Sequence, residues 1–159
     1  MHMGLDMYLT GRRYIWGFSD SPDQHIQAAV EPLFPELKGR RIKEVSCEMM
    51  YWRKSNQIHK WFVDNVQEGK DECQETFVSD EQLNELLNTC RSVLAGRNGP
   101  NAIANAQALL PTQSGFFFGG TEYDEYYWRD LEDTVKGLEE ILGNEEITKH
   151  WEFYYCSSW

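Results

Sequence analysis

Residues 42–66 carry two hydrophobic rhythms back to back, and this junction most restricts what the chain can become. From residue 42 to 51 the apolar side chains alternate, which predicts a strand with Val45, Cys47, Met49 and Tyr51 on one face. The period then lengthens: Ile58, Trp61, Phe62, Asn65 and Val66 follow the i, i+3, i+4, i+7, i+8 spacing of an amphipathic helix. Ser55 or Asn56 can cap that helix and Gly69 can end it. A strand that runs straight into such a helix calls for a helical layer packed on a sheet. The turn between them, Arg53-Lys54-Ser55-Asn56, sets two cations at a helix N-terminus.

The rest of the chain fits the same two layers. Residues 5–16 read as strand with a bend at Gly11, and residues 22–31 as a short helix opening on Pro22. A short strand is expected over 74–78. Ser79 with Gln82 forms a capping-box signature ahead of a helix carrying Leu83, Leu86, Leu87, Cys90, Val93 and Leu94. Residues 97–108 lack bulky anchors and read as a flexible loop. A short aromatic strand is expected over 116–118, between glycine turns. A third long helix, capped by Thr121 and ending at Leu142, turns Tyr127, Leu131, Val135, Leu138 and Leu142 inward. Residues 151–156 alternate again. The pattern predicts an α+β fold: a single domain over 3–159, a largely antiparallel sheet, and about three helices packed on one face. A doubly wound parallel sheet is the alternative. Met1 and His2 read as a cloning remnant ahead of a natural start at Met3.

The net charge of −11 is unevenly spread. Residues 1–60 hold nine Lys/Arg and seven Asp/Glu, whereas residues 61–159 hold six and nineteen. Without a large basic stripe, duplex nucleic acid is excluded as a partner, and the acidic two-thirds suits a basic protein instead. No apolar run approaches the roughly 20 residues that span a bilayer, so no membrane is expected. The four cysteines lie far apart without a C-x-x-C pair, which argues against structural zinc and for a reducing, cytoplasmic setting. Cys90 and Cys156 fall in apolar patterns and read as buried thiols.

Candidate chemistry concentrates at the opening junction. A helix N-terminus attracts phosphate or carboxylate, and Arg53 and Lys54 add fixed positive charge beside it. Asn56 and His59 fall on one helical flank, where they can hydrogen-bond the polar edge of a ligand. Tyr51 and Trp52 alternate across the strand, so one of them can offer a stacking face. Residues 110–115 and 119–121 form a second Gly-rich helix start. There Glu122, Asp124 and Glu125 already satisfy the helix dipole and would repel phosphate, leaving Thr112 as a supplementary contact. No Walker, Rossmann, nucleophile-elbow or zincin motif occurs. No metal or cofactor is predicted.

Several blocks carry a family resemblance. They are Gly4-Leu5-Asp6-Met7-Tyr8-Leu9, then Tyr51-Trp52-Arg53-Lys54 with Asn56, Ile58-His59, Trp61-Phe62-Val63 and Asn65-Val66-Gln67. Leu110-Pro111-Thr112, Gly115-Phe116-Phe117-Phe118-Gly119, Thr121, Tyr123-Asp124-Glu125 and Ser157-Ser158-Trp159 complete them. On these blocks the chain resembles a family of small accessory proteins of bacteriophages and prophages. The resemblance implies action in the bacterial host cytoplasm, of the kind that counters host defences, and brings no site residue with it. The expected function is therefore an anti-defence protein that sequesters an anionic, nucleotide-like small molecule through Arg53, Lys54, Asn56, His59, Tyr51, Trp52 and Thr112. One alternative is an acidic inhibitor that mimics nucleic acid towards a host defence protein. Another is a small enzyme with His59 as general acid or base. Aromatics such as Trp128 and Trp159, expected at the surface, leave room for a homo-oligomer.

Overall fold

Strand β1 (Asp6–Tyr14) is the spine of the molecule, because Leu5, Met7 and Leu9 point to one side and are fully buried. The computed structural model describes residues 4–159, so the reading of Met1 and His2 lies outside the described residues. After β1 come α1 (Gln24–Val30), two short 3-10 turns, β2 (Glu44–Arg53), α2 (Asn56–Asn65) and β3 (Thr76–Val78). Then follow α3 (Asp80–Ala95), α4 (Ala102–Leu109), α5 (Glu125–Leu142), α6 (Glu145–His150) and β4 (Glu152–Ser158). The strands form one antiparallel sheet in the order β2-β1-β4-β3. The fold is α+β, with the three long helices α2, α3 and α5 supplying the helical side of the core.

Several sequence expectations change. The segment 97–108, expected as a flexible loop, contains α4, whose Ala106 is fully buried. Small residues let this helix approach the core closely where bulky anchors would not fit. The segment 116–118 is a turn, not a strand, with Phe117 in the left-handed region (φ 60°). Trp128 is buried, packed edge-on against Tyr127 with the Arg97 guanidinium over its ring. Beyond the three predicted long helices, α1 matches the short helix expected over 22–31, and α6 was carried by no strong pattern.

A β-bulge resets one strand face. Leu9 pairs with Met50 but Thr10 pairs with Glu48, so Met49 is the extra residue in β2. Trp52 and Met50 therefore join Met7 and Leu9 on the helix side, while Tyr51 lies opposite, beside Tyr8. The expected common face of Val45, Cys47, Met49 and Tyr51 breaks at Tyr51 for this reason, since one extra residue reverses the alternation. Gly11 lies inside β1 and makes no bend; the Met49 side chain fills the space its Cβ would take. Asp124, not Thr121, caps α5, accepting from the backbone N–H groups of Tyr126 and Tyr127. No helix among the described residues is long and apolar enough to cross a membrane.

Candidate functional site

The turn from β2 to α2 is held in an unusual backbone. Lys54 has φ 58°, a region that costs an L-residue about 1–2 kcal/mol. Two backbone hydrogen bonds fix it there: Lys54 N–H donates to Leu5 O at 2.8 Å, and Asn56 N–H donates to Lys54 O at 2.9 Å. Gly119 (φ +93°) crosses directly over it. A Cβ at Gly119 would sit 3.0 Å from Lys54 Cβ and 3.2 Å from Lys54 O, so this approach requires glycine.

Asn56 locks the two segments together. It is 1% exposed, donates to Phe118 O (3.1 Å) and Gly120 O (2.9 Å), and accepts from Gln113 N–H (2.9 Å). It is thus a clamp for residues 113–120 and is not open to a ligand. Thr112 belongs to the same construction: its hydroxyl donates to Thr121 O, and its N–H donates to the Tyr123 hydroxyl. Ser55 occupies the N-cap position of α2, yet its side chain does not cap. Gln57 Nε2 donates to the Asp130 carboxylate at 3.2 Å, with the Ser55 hydroxyl close enough to favour its charged form.

These contacts frame a cleft of about 300 Å³. Arg53, Lys54, Gln57, Thr112, Gly119 and Gly120 line one part of it, and Glu122, Asp124, Tyr126, Tyr127 and Asp130 the other. The two helix starts that look separate in the sequence therefore face one another across one space. Arg53 is already engaged: its guanidinium lies 3.1 Å from the buried Asp6, which also accepts from the Tyr51 hydroxyl. Lys54 is exposed and forms no ion pair among the described residues. Burial pushes the Asp130 carboxyl above its usual range, partly offset by the Ser55 and Gln57 bonds. Tyr126, 74% exposed, is the aromatic ring at the rim.

Of the residues expected to bind ligand, Arg53, Lys54 and Thr112 meet at the cleft. Trp52 is buried and its indole N–H donates to Thr134 Oγ1 at 2.8 Å, so it offers no stacking face. Tyr51 is half-exposed but lies on the far face of the sheet. His59 is 0% exposed, because the helix turns it inward onto Tyr155 and Phe118 rather than along the surface with a free flank. Its Nε2 lies 2.9 Å from Asp71 and its Nδ1 lies 2.7 Å from the Tyr155 hydroxyl. A carboxylate only accepts, so Nε2 carries the proton and Nδ1 accepts from Tyr155 in the neutral ring. Trp159 N–H closes the chain on Asp71. With both nitrogens engaged and no exposed surface, His59 is a core polar residue, and general acid-base work by it is corrected to a structural role.

Sequence reasoning did not find Gln57, Tyr126 or Asp130. Tyr126 carried a usable signal: it stands one residue from the inward Tyr127 and so faces out at the first turn of α5. Among the described residues no group of three or more His, Cys, Asp or Glu is placed to hold a metal ion. Comparison with known protein families, with curated proteins and with solved structures finds no match to this chain.

Proposed function

We propose that the protein is a phage accessory protein that captures an anionic, nucleotide-like ligand in the bacterial cytoplasm and so withholds a signal from host defence. The carrying observation is Lys54, an unpaired cation held in a costly backbone conformation at the mouth of the cleft. Phage provenance rests on the resemblance given above. Lys54 and the outer edge of Arg53 would take a phosphate, while Tyr126 is free to stack on a planar ring. The carboxylates on the opposite wall, Glu122, Asp124 and Asp130, suit ring amino groups, which donate hydrogen bonds.

The wall charges also set a preference. Lys54 and an Arg53 already paired with Asp6 share the cleft with three carboxylates, so a triphosphate is repelled, whereas a phosphodiester with one charge per phosphate is tolerated. Purine cyclic nucleotides are therefore the favoured class. A ligand that binds only the folded protein stabilises it by about 2.7 kcal/mol at a hundredfold excess over Kd. Thermal unfolding should rise with purine cyclic nucleotides and stay flat with nucleoside triphosphates. Absence of any shift across a panel of cyclic and linear nucleotides at millimolar concentration overturns the reading.

A further inference from the structure

We infer that a second copy of this chain pairs along the free edge of β2, in antiparallel register about a two-fold axis. The sheet has two unequal edges. β3 is only three residues long, but β2 runs for ten and ends the strand order. Apart from the ladder with β1, no backbone group of residues 44–53 has a hydrogen-bond partner among the described residues. A long edge with unpaired N–H and C=O groups is a template for another strand. Proteins that remain monomeric blunt such edges with proline, charged side chains, bulges or short strands; β2 contains neither proline nor lysine, and its charged residues are Glu44, Glu48 and Arg53. Its single bulge, at Met49, bends the strand without covering it.

Charge and symmetry point to the same chain as the occupant. Glu44 and Arg53 stand at opposite ends of β2, both about half exposed, and each already has an opposite charge of its own chain beside it: Arg12 at 3.8 Å from Glu44 and Asp6 at 3.1 Å from Arg53. Antiparallel pairing about a two-fold axis sets Glu44 of each copy beside Arg53 of the other, twice over. The connection between β1 and β2 strengthens the match. It leaves from the Tyr14–Glu44 end of the ribbon, and the cleft opens at the Asp6–Arg53 end, about 27 Å away along the strand. Within one chain the two cannot meet, whereas pairing brings the connection of each copy towards the cleft end of the other. That connection exposes Trp16, Phe18, Leu33 and Phe34 and carries Lys38, Arg40, Arg41 and Lys43 within six residues. Beside the cleft that end carries the exposed Glu125, which lies 3.6 Å from Arg97. A basic, apolar arm would so meet an acidic surface next to the cleft, leaving Glu122, Asp124 and Tyr126 to the ligand.

Light scattering on the eluting protein tests this directly. The pairing predicts twice the chain mass of 18.7 kDa. Neighbouring residues in a strand turn their N–H groups to opposite sides, so of Ser46→Pro and Cys47→Pro one removes a bond to β1 and the other only an outward donor. The variant that keeps the native circular dichroism is expected to elute at 18.7 kDa. Lys38→Glu/Arg40→Glu changes two surface side chains and leaves the edge intact; it should raise the dissociation midpoint at least tenfold. A wild-type protein of single-chain mass up to about 100 μM, where even weak pairing with micromolar Kd is saturated, overturns the inference. So does a folded proline variant that remains a dimer, or a midpoint indifferent to the charge reversal.

Discussion

At Lys54 the chain accepts a conformation that glycine would adopt freely, and this supplies a test that separates function from stability. Lys54→Gly relieves the left-handed strain while losing some chain entropy, so stability should hold or rise by up to about 1 kcal/mol. Nucleotide binding should fall at least tenfold in the same variant. A thermal melt with and without ligand reads both. Arg53→Glu is a poorer probe, because it strips the buried Asp6 of its cation. Asp130 gives the complementary case. A carboxyl whose folded pKa is raised contributes stability below its unfolded value and loses it as pH rises through the folded value. Asp130→Asn should therefore be neutral or stabilising at pH 7 and should weaken the preference for amino-bearing rings. Asn56→Ala should do the opposite, costing about 2–4 kcal/mol by orphaning two carbonyls and one N–H, and loosening the Gly119–Gly120 wall. Thiol chemistry checks the burial pattern independently: Cys47 and Cys73 are exposed and should react in the native state. Cys90, buried and pushed up to about 12, should react only on unfolding.

Secondary elements whose apolar residues keep a clean period were legible in the sequence. The capping box at Ser79 and Gln82 and the inward stripes of α3 and α5 are present, and so is that of α2 except at Asn65, which is exposed. Legibility failed where tertiary contacts set the outcome. The bulge at Met49 depends on its fit over Gly11, and α4 depends on a close helix approach that small residues allow. The candidate site was half legible for a related reason. Arg53, Lys54 and Thr112 could be found from charge and position, but that the carboxylates of Glu122 and Asp124 face them is a fact of chain crossing. His59 was misplaced because polarity suggested a surface residue, whereas Asp71 and Tyr155 satisfy it inside. The connection between β1 and β2 makes its own prediction. Asp23 is buried there, and the Trp16 N–H with the Arg13 guanidinium holds its carboxyl below the usual range. A depressed carboxylate contributes stability above its unfolded value near 3.9, and that stability disappears as pH falls through the lower folded value. Protease cleavage within residues 15–43 should rise below about pH 4 in the wild-type protein. In Asp23→Asn it should already be fast at pH 7, with the acid step gone.

Taken as one molecule, the chain is an acidic body in which an exposed cation without an ion pair among the described residues, Lys54, lines a small cleft. The helical face of the sheet is committed to the core, and the chain from the partly buried Asp71 through His59 to Tyr155 ties α2 to β4. Rigid support of this kind suits capture of a ligand without a change of shape. The most direct test is mass spectrometry of small molecules released by denaturing protein purified from bacteria under phage challenge. The account predicts a phosphorylated, amino-bearing ring compound in near-stoichiometric amount from the wild-type protein, absent from Lys54→Gly. Recovery of no phosphorylated compound, or of the same compound in equal amount from both proteins, would contradict it.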